Sequence, residues 1–122
     1  MLKTKENSLT DILSQIPVLV EVDIDDIEEI AKRVKLIKFP KDSYVFHQGD
    51  IGETFYVIKS GKIEVLKTVE GQEKQAAVLY PDNFFGEMAL INDDPRNATV
   101  KCLEECELFV FNKKDFYDFL YL

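Results

Sequence analysis

The feature that most constrains this chain is a change of hydrophobic period at Lys35. Upstream, Ile24, Ile27, Ile30, Ala31 and Val34 recur at helical spacing, and Asp25, Asp26, Glu28, Glu29, Lys32 and Arg33 occupy the opposite face. Asp23 stands where an N-cap belongs, and the acids precede the bases, as the helix dipole favours. Downstream the pattern becomes short β-rich runs: Leu36–Phe39, Tyr44–Gln48, Thr54–Lys59, Lys62–Val69, Lys74–Tyr80, Ala98–Leu103 and Cys106–Phe111. Turn-forming clusters separate them, among them Pro40-Lys41-Asp42, Gly49-Asp50-Ile51-Gly52, Ser60-Gly61, Glu70-Gly71 and Pro81-Asp82-Asn83. Seven or eight short strands at this spacing predict a sandwich or a barrel-like roll. Ile63 and Val65 alternate with Lys62 and Glu64, so one face meets a core and the other meets water.

Helices close both ends of this pattern. Ser8 and Asp11 form a weak capping box, with Pro17 ending a short helix, and residues 1–7 are expected to fray. Asn112 and Asp115 make an N-cap pair for a last helix with a Phe116, Phe119, Leu120 stripe. That stripe stops at Leu122 without a C-cap signal, so the helix is expected to be truncated and residues 1–122 to form one domain.

Composition narrows the function. Asp+Glu number 23 against 15 Lys+Arg, a formal net charge of -8, which opposes a nucleic-acid surface and docking on anionic membranes. No apolar run approaches the ~20 residues of a membrane span, and the N-terminus lacks the apolar stretch of a signal peptide. The expected location is the cytoplasm, either free or on the cytoplasmic face of a membrane protein. The two cysteines, Cys102 and Cys106, fit a reducing compartment. If they flank a two-residue hairpin turn, Leu103 faces Cys106 and Cys102 faces Glu107, which disfavours a disulfide and leaves buried thiols. His47, the one histidine, falls inside a β run and reads as structural. Nothing resembles a zinc site or an activated nucleophile, so an enzyme is the least expected class.

One segment departs from the strand pattern: Phe84-Phe85-Gly86-Glu87-Met88-Ala89-Leu90-Ile91, then a polar loop to Pro95-Arg96-Asn97-Ala98-Thr99. About two helical turns are expected, with free backbone N–H groups at the start and Gly86 allowing close approach. Arg96 returning to that point would make a phosphate site. Glu87 would repel phosphate, but it suits a neighbouring hydroxyl such as a ribose 2′-OH. The alternative is a Glu87–Arg96 ion pair that merely closes a surface loop.

At these residues the chain resembles the cyclic nucleotide-binding domain family, of the type found in catabolite activator proteins and regulatory subunits of cyclic-AMP-dependent kinase. Phe85-Gly86-Glu87-Met88-Ala89-Leu90 followed by Pro95-Arg96-Asn97-Ala98-Thr99 is similar to the family's phosphate-binding cassette. Gly49-Asp50-Ile51-Gly52-Glu53-Thr54-Phe55-Tyr56-Val57-Ile58 with Gly61-Lys62-Ile63 resembles a second family pattern, and the likeness spans about residues 15–120. The resemblance implies a mainly β fold: an eight-stranded antiparallel β-roll, of double-stranded jelly-roll type, with flanking helices. It implies that Arg96 pairs with a cyclic phosphate and Glu87 holds the ribose 2′-OH. Gly86 would shape the approach, and backbone N–H groups around Met88, Ala89, Asn97 and Ala98 would add hydrogen bonds. Gly49, Gly52 and Gly61 are read as turn residues.

The implied function is a non-enzymatic sensor that binds cAMP or cGMP and needs no further cofactor. It relays binding through the C-terminal helix to an attached or separate effector. Asn97 stands where a Thr often marks cyclic GMP binders, which favours cAMP. A lid over the base is expected to be absent or supplied in trans. Two rivals are a degenerate roll that serves only for docking, and a roll that senses a different small molecule or haem, for which His47 is the one candidate histidine ligand.

Overall fold

A computed structural model describes the backbone of residues 8–120 and the side chains of residues 8–117. The frayed start expected for residues 1–7 and the Phe119 and Leu120 side chains of the C-terminal stripe lie outside the described residues.

Two helices lead. Helix α1 (Leu9–Ser14) is capped by Ser8, whose hydroxyl accepts from the Asp11 N–H at 3.1 Å. A 3₁₀ turn at Pro17–Leu19 connects it to α2 (Ile24–Lys32), where the Asp23 carboxylate accepts from the Asp25 N–H at 3.1 Å. Ile27 and Ile30 are buried as the periodicity predicts, whereas Ile24 sits at the helix start and is exposed.

Eight antiparallel strands follow: β1 (Lys35–Phe39), β2 (Tyr44–Phe46), β3 (Thr54–Ser60), β4 (Ile63–Val69), β5 (Gln72–Leu79), β6 (Phe84–Phe85), β7 (Thr99–Cys102) and β8 (Cys106–Asn112). They form two four-stranded sheets, ordered β1-β8-β3-β6 and β2-β7-β4-β5. This is the expected β-roll with flanking helices. The β4–β5 hairpin turns on Glu70 and Gly71, both at positive φ (53° and 78°), as the right-handed strand twist favours.

The sequence Phe55-Tyr56-Val57-Ile58 is apolar without alternation because β3 is buried on both faces. Phe55 and Val57 meet α1, α2, Phe111 and Phe116 in one core. Tyr56 and Ile58 point the other way, into the core between the sheets with Phe85, Val100, Cys102, Cys106 and Leu108. Each fully buried side chain of this size contributes about 1.5–3 kcal/mol.

Three expectations need correction. Phe84-Phe85 is a strand, pairing Tyr56 with Phe85 and Val57 with Phe84; two residues are too few to show a period. Strand β2 ends at Phe46, so His47 lies in the following loop, exposed, stacked on Tyr44 and 4.0 Å from the Asp50 carboxylate. The Cys102–Cys106 segment is not a hairpin, because β7 and β8 belong to different sheets: Cys102 pairs with Ile63 and Cys106 with Phe39. Both cysteines are nevertheless free thiols and fully buried.

Candidate ligand site and family membership

Two stretches that lie far apart in sequence meet where the chain crosses between the sheets. The loop from β2 to β3 and the loop into β7 exchange backbone hydrogen bonds: Arg96 N–H to the Asp50 carbonyl at 2.7 Å and Gly49 N–H to the Arg96 carbonyl at 2.8 Å. The segment after β6 folds against β3. Gly86, at φ 81° in the left-handed region that glycine tolerates, turns the chain into a 3₁₀ turn at Glu87–Leu90. That single short turn replaces the two helical turns expected, since four residues cannot sustain more.

These pieces enclose a cavity of about 320 Å³. Gly86, Glu87, Met88, Ala89, Arg96, Asn97 and Ala98 all line it, so the structure brings every site residue read from the sequence to one hollow. Phe85, Asn92, Asp94 and Pro95 of the same segment share its wall, and Phe46, Gly52, Val65 and Val100 join it from elsewhere in the chain, a contribution no local pattern announces. Only tertiary pairing carries the β2–β3 loop and the sheet faces to the cassette.

Arg96 is 9% exposed. Its Nη2 donates to the Thr54 carbonyl at 2.8 Å and to Thr54 Oγ1 at 3.0 Å, and its Nη1 donates to the Gly86 carbonyl at 3.4 Å. Thr54 Oγ1 shares a 2.8 Å hydrogen bond with the Tyr56 hydroxyl. The Phe46 ring lies 4.1 Å from Arg96 Cζ, a cation–π contact. Burial pulls the guanidinium below its ordinary pKa, partly offset by Tyr56 and Asp50.

Among the described residues no carboxylate pairs with Arg96, and its buried Nε–H has no acceptor. Such an unsatisfied donor costs about 1–3 kcal/mol and calls for a reason. Glu87 lines the same cavity half-buried and makes no ion pair with Arg96, so the loop-closing pair is not what holds this segment. Of the amides expected to face a ligand, that of Ala89 already donates to the Gly86 carbonyl at 3.2 Å, because the turn is 3₁₀. No group of three His, Cys, Asp or Glu among the described residues could hold a metal ion.

The arrangement is a desolvated cation, Arg96, and two carboxylates, Glu87 and Asp94, lining one hollow, fit for an anion next to a hydroxyl. Residues 36–121 match the family model of the cyclic nucleotide-binding domain. The chain belongs to that family. Its relatives include a cAMP-dependent protein kinase regulatory subunit from Blastocladiella emersonii, 34% identical over 105 residues, covering 85% of this chain and 26% of that protein. A cyclic AMP receptor protein from Thermus thermophilus is 35% identical over 79 residues, covering 64% of this chain and 37% of that protein. Among solved structures, the regulatory domain of Toxoplasma gondii PKA with cAMP superposes with a TM-score of 0.81 at 29% identity, covering 91% of this chain and 42% of that one. This cyclic nucleotide-binding domain therefore spans only 26% and 37% of the length of those two curated relatives.

Proposed function

We propose that this chain is the sensing module of a regulatory protein. It binds a cyclic nucleotide monophosphate, cAMP in preference to cGMP, and relays binding to an attached or separate effector through the C-terminal helix. The observation that carries this reading is Arg96: a buried guanidinium with neutral hydrogen-bond partners, an orphaned Nε–H and no paired carboxylate among the described residues, opening on a cavity of about 320 Å³. A cyclic phosphodiester supplies the missing charge and acceptor, and a charge-assisted pair of this kind is stronger than a neutral hydrogen bond. Glu87, on the same cavity, accepts from the ribose 2′-OH. Asn97, exposed at the cavity, leaves the base without the hydroxyl that a Thr would offer guanine. Relatives named for cAMP support the preference.

The relay has a physical path. Helix α3 (Lys113–Leu120) is tied to the cassette: the Tyr117 hydroxyl donates to the Leu90 carbonyl at 2.9 Å, and Lys113 Nζ reaches Asp93 Oδ1 at 2.9 Å. A ligand that reshapes the cassette moves α3 only as far as its differential affinity for the two arrangements allows. Titration calorimetry with cAMP, cGMP and cyclic di-GMP tests the proposal. Saturable heat with cAMP, weaker with cGMP, is expected; no heat with any at millimolar concentration leaves the roll as a docking module only.

A further inference from the structure

We infer that Gly52 is a positioning residue for the Arg96 guanidinium, required for the side chain it lacks and not for a turn. This rests on the reading of Arg96 as the phosphate-binding group. The chain has five glycines. Four of them, Gly49, Gly61, Gly71 and Gly86, sit at positive φ, where glycine is favoured by backbone sterics. Gly52 is not one of them, so a positive φ does not account for glycine there. What forbids a side chain there is space: a Cβ on Gly52 would overlap Nε, Cζ and Nη2 of Arg96.

The guanidinium cannot simply step aside. Thr54, two residues on at the start of β3, holds Nη2 with two acceptors; the Gly86 carbonyl takes Nη1; Phe46 covers the ion. The edge that rests against Gly52 includes Nε, the donor left without an acceptor. The bare backbone at 52 thus sets how deep the guanidinium lies and which donor stays uncommitted. A methyl group there displaces the ion from the Thr54 acceptors and re-aims it in the cavity, while the surrounding strands keep their pairing.

A double-mutant cycle tests this. Gly52→Ala, Arg96→Ala and the double variant are compared with the parent by thermal unfolding and by calorimetry with cAMP. Gly52→Ala is expected to lower Tm in the parent and to leave it unchanged in the Arg96→Ala background, where the collision partner is gone. It is also expected to weaken cAMP binding by about tenfold or more, since recognition by a guanidinium depends on its fixed fork geometry. If Gly52→Ala alone fails to fold, a folded double variant makes the same point. Equal loss of Tm in both backgrounds, or failure of both variants to fold, overturns the inference, because alanine would then collide with something other than Arg96. Unchanged cAMP affinity in Gly52→Ala overturns it as well. If the parent binds no cyclic nucleotide, the proposed function fails instead, and the Tm cycle by itself decides whether Gly52 positions Arg96.

Discussion

At the scale of single residues, the chemistry divides between a cation kept from water and a carboxylate left beside it. Replacing Arg96 by Ala removes the charge, and replacing it by Lys removes the fork that spans Thr54 and Gly86. Both variants are expected to lose cAMP binding by about a hundredfold or more in calorimetry, because each charge-assisted hydrogen bond contributes about twice a neutral one and the fork makes more than one. Glu87→Gln should weaken cAMP yet leave the affinity for its 2′-deoxy analogue near that of the parent; an equal loss for both ligands removes the ribose role. A separate residue-scale effect concerns Cys102. Burial, then neighbouring Cys106, pushes its thiol from 9.0 up to about 12. The folded chain thus keeps a proton that the unfolded chain releases near pH 9, so stability is full below that pH and falls as pH rises towards about 12. Urea unfolding at pH 8 and pH 11 checks the sign, and Cys102→Ala should show a smaller loss between them.

At the scale of elements, the cassette turn is a short piece held by long ones. Four residues of 3₁₀ structure have little stability of their own, so Leu90, buried with Phe55, Phe111 and Phe116, fixes the turn to the helical core. Leu90→Ala is expected to cost about 2–5 kcal/mol of stability by the usual large-to-small penalty, read as a lower urea midpoint. Tyr117→Phe, which deletes the contact to the Leu90 carbonyl, should leave cAMP affinity within about threefold while reducing the ligand-induced change in hydrogen exchange of α3, the expected mark of a coupling contact. The elements themselves were largely legible: the helical stripe of α2, its Asp23 cap and the turn-bounded runs mark nearly every strand. What escaped is what long-range contact decides. Phe84-Phe85 became a strand because β3 offered its edge. The chain crossed between sheets at 103–105, where a local reading expects a hairpin. The site followed the same rule: Gly86, Glu87 and Arg96 announced themselves by type and spacing, whereas Phe46, Gly52 and Thr54 reach Arg96 only through the fold.

At the scale of the molecule, the net charge of -8 and the buried Arg96 act on an anionic ligand in opposite directions. The diffuse negative field repels a cyclic monoanion over distances that salt screens, since the Debye length is about 10 Å at 0.1 M. The Arg96 guanidinium itself is covered by Phe46 and flanked by the β2–β3 loop, so salt screens a charge placed against it far less. Raising the ionic strength should therefore remove the repulsion and spare the attraction. The dissociation constant for cAMP is expected to stay level or tighten by up to about threefold between about 50 mM and about 300 mM salt. A nucleic-acid-binding surface behaves the other way, weakening steeply as condensed counterions compete. Calorimetry across that salt series discriminates the two. A steep loss of affinity would place recognition on exposed lysines, and the buried guanidinium would no longer be the seat of binding.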